Sequence, residues 1–256
     1  MTFLPWRLFK ALSTVLPIIT FFAAWELIVR LRWVNAALLS PPTVAFAQLI
    51  QYFASGEILP HVASSLHRGV IGFMISLFLG IPLGLLIGSS RYASRALSPI
   101  VEFLRQLPPL AMLPVFLLFL GLGLKAQVGI VVWASIWPIL LNTVTRARNV
   151  DIRLTKAALT LGATRRDLFL KVSLPAAVPT IMTGVRLGAS YAFLVLVAAE
   201  MIGADSGIGY LILNNQYTFL IPQMYAAILL LALFGVLLNY GLLAFERGIT
   251  PWSQKQ

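Results

Sequence analysis

The sequence predicts an all-α polytopic membrane protein of about six transmembrane helices, on three observations: its composition, the length of its apolar runs and the placing of its charges. Of 256 residues, 59% are hydrophobic and 11% charged, with a mean hydropathy of +0.91; a soluble chain is about half apolar and about a quarter charged. Lipid is therefore the solvent for most of the chain, and disorder is excluded because so apolar a chain cannot stay hydrated. Six apolar runs, 11–31, 69–90, 106–124, 126–145, 176–204 and 223–245, approach or exceed the ~20 residues that a helix needs to cross ~30 Å of hydrocarbon. Backbone polar groups in lipid find partners only within the segment, so these runs are helices.

The net charge is +11, and its Lys and Arg stand in short clusters between the runs, without the aromatic interleaving of a nucleic-acid binder. Cysteine is absent, so there is no disulfide framework and no thiolate metal site. With the N-terminus inside, 1–10, 91–105, 146–175 and 246–256 face the cytoplasm. Thirteen basic residues, from Arg7 to Lys255, then lie inside against four outside, Arg30, Arg32, Arg68 and Lys125. That bias follows the positive-inside rule and places both termini in the cytoplasm.

Taken in order, the first run follows Arg7 and Lys10 and has the outline of a signal peptide. Residues 20–26 offer no small-x-small cleavage site and the run is long enough to span, so it reads as an uncleaved anchor. The outer stretch 32–68 holds Pro41-Pro42-Thr43 before an apolar series, the start of an amphipathic helix lying along the interface. Gly72, Gly80 and Gly84 in the second run, and Gly235 and Gly241 in the sixth, permit close helix packing in lipid. The third run opens on Arg105 and is interrupted by Pro108, Pro109 and Pro114, which remove backbone donors and kink or break a helix.

The loop 146–175 is the most informative segment. Asn149 or Asp151 is positioned to cap a short helix through Leu154, Ala157, Ala158 and Leu161, whose spacing makes one apolar face. Gly162 ends it, and Thr164 with Asp167 three residues on forms a capping box for a second helix, which Leu174-Pro175 closes before the fifth span. Arg153, Lys156, Arg165 and Arg166 surround the pair. Physical chemistry alone leaves two readings, an ordinary basic loop or a knob shaped for a partner's groove.

The string Lys156-Ala157-Ala158-Leu-Thr-Leu-Gly162, nine further residues, then Val172-Ser-Leu174-Pro175 resembles the E-A-A-x-x-x-G-x9-I-x-L-P signature of the inner-membrane permeases of bacterial ABC importers. The departure is Lys156, where the signature has Glu, which reverses a charge and implies a compensating acid on the partner. Arg105-Gln-Leu-Pro108-Pro109-Leu-Ala-Met112-Leu-Pro114, Gly184-Val-Arg186-Leu, Ala198-Ala199-Glu200 and Ser206-Gly207-Ile-Gly209-Tyr210 are similar to the subgroup that imports taurine, alkanesulfonates, nitrate, bicarbonate and certain vitamin precursors. The resemblance implies the type I importer permease fold, a single transmembrane domain over 1–256. It implies that loop 146–175 is the coupling helix that docks into a nucleotide-binding subunit, through Lys156, Ala157, Ala158, Gly162, Ala163, Leu174 and Pro175. It further implies a dimer of ATPase subunits, a second permease copy, a periplasmic solute-binding protein and a place in the bacterial inner membrane.

The five lysines are followed by Ala11, Ala126, Ala157, Val172 and Gln256, so no G-x-x-x-x-G-K-[ST] loop is present. The expectation is that the chain is no enzyme and carries no cofactor, with ATP and Mg bound by the partner ATPase. The solute expected from the subgroup is a sulfonate, nitrate or similar small anion. Broken helices at membrane depth are tolerated beside protein-lined cavities, so Arg105, Pro108, Pro109 and Met112 are candidates for the translocation path, with snorkelling of Arg105 as the competing reading. Glu200 joins them as an intramembrane carboxylate. Arg186 is fourteen residues away, ~21 Å along a helix, so Glu200 must bond another span or face the outer gate. Asp205, Ser206, Gly207 and Gly209 form an outer turn suited to meet the binding protein. The rival function is an ion-coupled secondary transporter using Glu200 as a proton site. An intramembrane hydrolase lacks its motifs, and the only histidines, His61 and His67, lie in the outer stretch.

Overall fold

The computed structural model describes residues 4–35, 37–149 and 152–249, and every regular element among them is helical. In chain order these are α1 (Leu4–Arg30), α2 (Pro42–Ser55), α3 (Leu59–Ser89), α4 (Arg91–Leu104), α5 (Pro109–Leu120), α6 (Leu124–Arg148), α7 (Ile152–Thr160), the single turn α8 (Arg165–Asp167), a π-helical segment (Leu168–Ser173), α9 (Leu174–Gly203), α10 (Ile208–Tyr217) and α11 (Ile221–Ile249). Among the described residues α3, α6, α9 and α11 are each long and apolar enough to cross a membrane, and α4 with α5 makes a fifth candidate bent by 95°. The expected straight span 106–124 is thus corrected: α5 has only 12 residues, about 18 Å, and crosses only in combination with α4. The outer stretch 32–68 is also shorter than expected, because α3 already begins at Leu59.

The chain divides into two compact units. One comprises 1–59 and 211–232. In it Trp25 meets Tyr225 with ring centroids 5.6 Å apart and Phe22 meets Phe46 at 5.7 Å. Pro42 opens α2 as anticipated, at its N1 position where a missing N–H costs nothing. Glu26 of α1 accepts from Thr43 N (3.1 Å) and Thr43 Oγ1 (2.8 Å), tying α1 to the α2 start.

The other unit comprises 60–210 and 233–256, and its spine is α6. A ladder of five small residues spaced by four on α3 (Gly72, Ser76, Gly80, Gly84, Gly88) lies against Val131, Ser135, Ile139, Thr143 and Ala147 of α6. A Cβ on Gly72 would stand 2.6 Å from Val131, on Gly84 2.6 Å from Thr143 and on Gly88 2.5 Å from Ala147, while the Ser76 and Ser135 hydroxyls meet at 2.6 Å. Small residues let these parallel helices approach to backbone contact, where dispersion replaces the hydrophobic effect that lipid cannot supply. α9 packs on α6 beside α3 by the same means, a Cβ on Gly188 falling 2.9 Å from Ser135 O and on Gly184 2.9 Å from Pro138 O. Gly235 has only an ordinary 3.5 Å neighbour and Gly241 has none within 4 Å, so among the described residues these two glycines make no close helix contact.

Candidate functional site

Three features of the second unit carry polar chemistry. The first is the element joining α6 to α9. Arg146 Nε donates to Ala176 O at 3.0 Å, which pins the two ends of the element together. α7 ends on Gly162 with φ +78°, and the Ala163 N–H to Ala158 O and Gly162 N–H to Leu159 O bonds, both 3.0 Å, are the reciprocal pair of a Schellman turn. Thr164 and Asp167 then form the expected box: Thr164 N and Oγ1 donate to Asp167 Oδ2 (3.2 and 2.6 Å), and Asp167 N donates to Thr164 Oγ1 (3.2 Å). Lys171 Nζ lies 2.7 Å from Asp167 Oδ1. The Lys171 ammonium first, with the Thr164 donors, lowers the Asp167 carboxyl to about 2.

Two expectations are corrected there. Asn149 is the residue after α6 and its N–H closes that helix; Asp151, the other capping candidate, lies outside the described residues. Leu174-Pro175 does not end the second helix, because Ser173 is itself helical (φ −68°, ψ −48°) and α8, the π segment and α9 run on without a break. A proline ring clashes with the carbonyl four residues back, and widening the preceding turn to π geometry relieves that clash. Lys156, Ala157, Gly162 and Pro175 are exposed, while Ala158, Ala163 and Leu174 are half-buried. Leu161 is 88% exposed and Leu159 52%, so the apolar face on which the spacing put Leu161 stands open at the tip of α7.

The second feature is the break between α4 and α5. Pro108 precedes α5 and Pro109 occupies its first turn, while Pro114 is carried inside the helix without ending it. Arg105 ends α4, and its Nε donates to Glu102 Oε2 at 2.8 Å while Nη2 reaches Oε1. Met112 is half-buried against the cluster of Leu113, Ile130, Ala134, Val195 and Ala199.

The third is a buried polar knot that the sequence reading assembled only in part. Glu200 near the end of α9 has no exposed surface. It accepts from Ser65 Oγ (2.7 and 2.8 Å), Arg68 Nη1 (3.2 Å) and Gly209 N (3.0 Å). Arg68 also holds Ser206 O (2.5 Å), Ser206 Oγ (2.9 Å) and Asp205 Oδ1 (3.5 Å), and Ser65 Oγ accepts from Ile208 N at 2.9 Å. The turn 205–209 is thus seated directly on the carboxylate, and only glycine fits: a Cβ on Gly207 would lie 2.4 Å from the Glu200 carboxyl carbon. Glu200 bonds another helix, as expected, and that helix is α3. Arg186 pairs instead with Glu246 at 3.4 Å. Arg68 and Ser65 were missed because a charge at the edge of an apolar run lowers hydropathy without ending a helix. Among the described residues no three His, Asp or Glu side chains converge as a metal site.

The family model described as "Binding-protein-dependent transport system inner membrane component" matches residues 80–251. The taurine transport system permease protein TauC of Escherichia coli is 31% identical over 89% of this chain and 85% of its own length. The nitrate import permease protein NrtB of Synechocystis is 35% identical over 76% of this chain and 70% of its own. Among solved structures, inward-facing conformations of the MetNI methionine ABC transporter superpose with a TM-score of 0.59 at 21% identity, covering 75% of this chain and 94% of that one. Fold, apolar helices and sequence agree, and they decide between an ABC permease and a gradient-driven carrier: the chain is a multi-pass ABC transporter permease and belongs to the family of binding-protein-dependent transport system inner membrane components.

Proposed function

We propose that two copies of this chain, each a single permease domain over 1–256, enclose the path of an importer for a small oxyanion. The solutes named for the taurine and nitrate permeases share a compact, multiply oxygenated anionic head. A soluble binding protein delivers the solute to the outer turns around 205–209, and two separate ATPase subunits grip loop 146–175 from the cytoplasm, where both termini lie. ATP and Mg belong to those subunits, and the present chain makes and breaks no bonds. Lys156, Ala157, Ala158, Gly162, Ala163, Leu174 and Pro175 form the gripped surface. Arg105, Pro108, Pro109 and Met112 line the path, and Glu200 acts on it through the outer turn that it holds.

The observation that carries this reading is the tip of α7. Leu161 stands 88% exposed beside Gly162, on an element outside the spans, where lipid cannot cover it and water is a poor neighbour for it. A protein groove is the environment that fits. The test is reconstitution: permease, ATPase and binding protein in proteoliposomes should accumulate labelled taurine or nitrate only with ATP inside. Leu161→Asp should abolish co-purification of the ATPase while the permease still inserts. Full uptake without an ATPase subunit would sink the proposal.

A further inference from the structure

The register of α5 against its neighbours gives the depth of the α4–α5 elbow. Leu113 shares a cluster with Ile130 and Ala134 of α6 and with Val195 and Ala199 of α9, and Pro109 lies one turn earlier. The elbow is therefore level with the middle of α6, whose 25 residues run from 124 to 148. At the other end of α4, Arg148 Nη2 donates to Ser98 Oγ (2.9 Å) and reaches Ser94, while Leu97 and Val101 pack with Ile87, Leu140 and Val144. α4, turned 95° from α5, thus runs from the Arg148 end of the bundle across the level of Leu140 and Val144 to the elbow.

Steps of 100° along α4 place Arg91, Ser94, Arg95, Ser98, Glu102 and Arg105 on one face. Tyr92, Ile100 and Phe103 occupy the other, exposed and apolar. At the elbow the Arg105 side chain remains 35% exposed, and Glu102, one turn toward the Arg148 end, 59%. An ion pair open to hydrocarbon is prohibitive there, so this face borders water enclosed by protein. Its charge is lopsided, with Arg91, Arg95, Arg105 and the adjoining Arg148 against the single carboxylate of Glu102. Both Glu102 oxygens are held by one guanidinium fork, the arrangement that also receives two oxygens of a sulfonate or nitrate.

We propose that the polar face of α4 lines the inner half of the path, and that Arg105 at the elbow receives the solute's oxyanion, with Glu102 as the resident counter-ion that the solute displaces. This rests on the oxyanion-importer reading above and adds the site within it. Because the chain has no cysteine, single cysteines can be placed without background. In the assembled importer, S98C and E102C should react with a charged, membrane-impermeant methanethiosulfonate at least about tenfold faster than I100C, as water and lipid faces differ. Uptake of taurine or nitrate should fall at least about tenfold in R105Q, the loss of a bidentate charge-assisted contact, and R105K should lie between. E102Q should instead raise uptake at limiting solute by about two- to fivefold, the value of one half-exposed ion pair no longer competing. Labelling of S98C and E102C no faster than I100C overturns the proposal, and so does an equal loss in R105Q and E102Q, which marks a merely structural pair. Failure of the unmodified importer to carry any oxyanion would count against the function itself and is read separately, before any variant is made.

Discussion

Gly162 tests whether the bend after α7 is a backbone requirement. Its φ of +78° is in the left-handed region, which costs an L-residue about 1–2 kcal/mol and costs a β-branched one more. Nothing lies within 4 Å of a Cβ built there, so steric clash adds nothing and the whole cost falls on the turn. With about 1.4 kcal/mol per factor of ten, Gly162→Val should reduce the population of the bent loop by about tenfold or more. Gly162→Ala should cost somewhat less, and Gly162→Asn least, because asparagine tolerates the left-handed region. Coupled uptake and solute-stimulated ATP hydrolysis, measured in proteoliposomes with the partner subunits, should fall in that order. The unfolding temperature of the isolated permease should stay within error, since a solvent-exposed turn contributes little to global packing. Asparagine as damaging as valine would refute the reasoning, for the demand would then be for a small side chain against the partner and not for the backbone angle.

Two further outcomes follow from the same coordinates. Gly207→Ala should remove about 3–5 kcal/mol, since the new Cβ would sit 2.4–2.6 Å from the Glu200 carboxyl atoms and force a buried carboxylate off Arg68 and Ser65; thermal unfolding in detergent reads it, and a loss below about 1 kcal/mol would contradict the knot. Asp167 is held at about 2 against an ordinary 3.8, so its contribution to the α8 start is complete above the ordinary value and is lost as pH falls from about 4 through about 2. Amide exchange over 164–171, corrected for intrinsic rate, should accelerate in that window in the native chain and show no such step in Asp167→Asn.

Much of this was legible because lipid removes alternatives. A run such as 126–145 has no choice but helix, and Gly72, Gly80 and Gly84 announce close packing by their spacing. Their partners did not announce themselves, since Val131, Ser135, Ile139, Thr143 and Ala147 are unremarkable in type and gain meaning only from a parallel neighbour. Arg68 shows a second limit. Hydropathy places the start of a span where apolarity begins, yet α3 starts ten residues earlier and carries its arginine inward to meet Glu200, a pairing across 132 positions that no local pattern records. Pro175 shows a third: proline ordinarily marks a helix end, and here a π turn gives the ring room and the helix continues.

That continuity bears on how a pull on the loop reaches the outer side. α9 is 30 residues long, about 45 Å, with the Arg146–Ala176 contact at one end and Glu200 at the other. Between them Gly184 and Gly188 bring its backbone against α6, and helices zipped at that distance slide or move together; they do not bend. A displacement of α7 therefore has two destinations within this unit. It can pass along α9 as a rigid movement to the Glu200–Arg68 contact and the turn seated on it, or it can be taken up in the π segment, where a turn holding more residues can revert to α geometry by a shift in register. The side on which Pro175 stands decides the order. Beyond it the helix carries one more proline, Pro179, and from there runs in α geometry to Glu200, so the compliant turn lies on the loop side of the rod, and the rod moves only after that turn has yielded or locked.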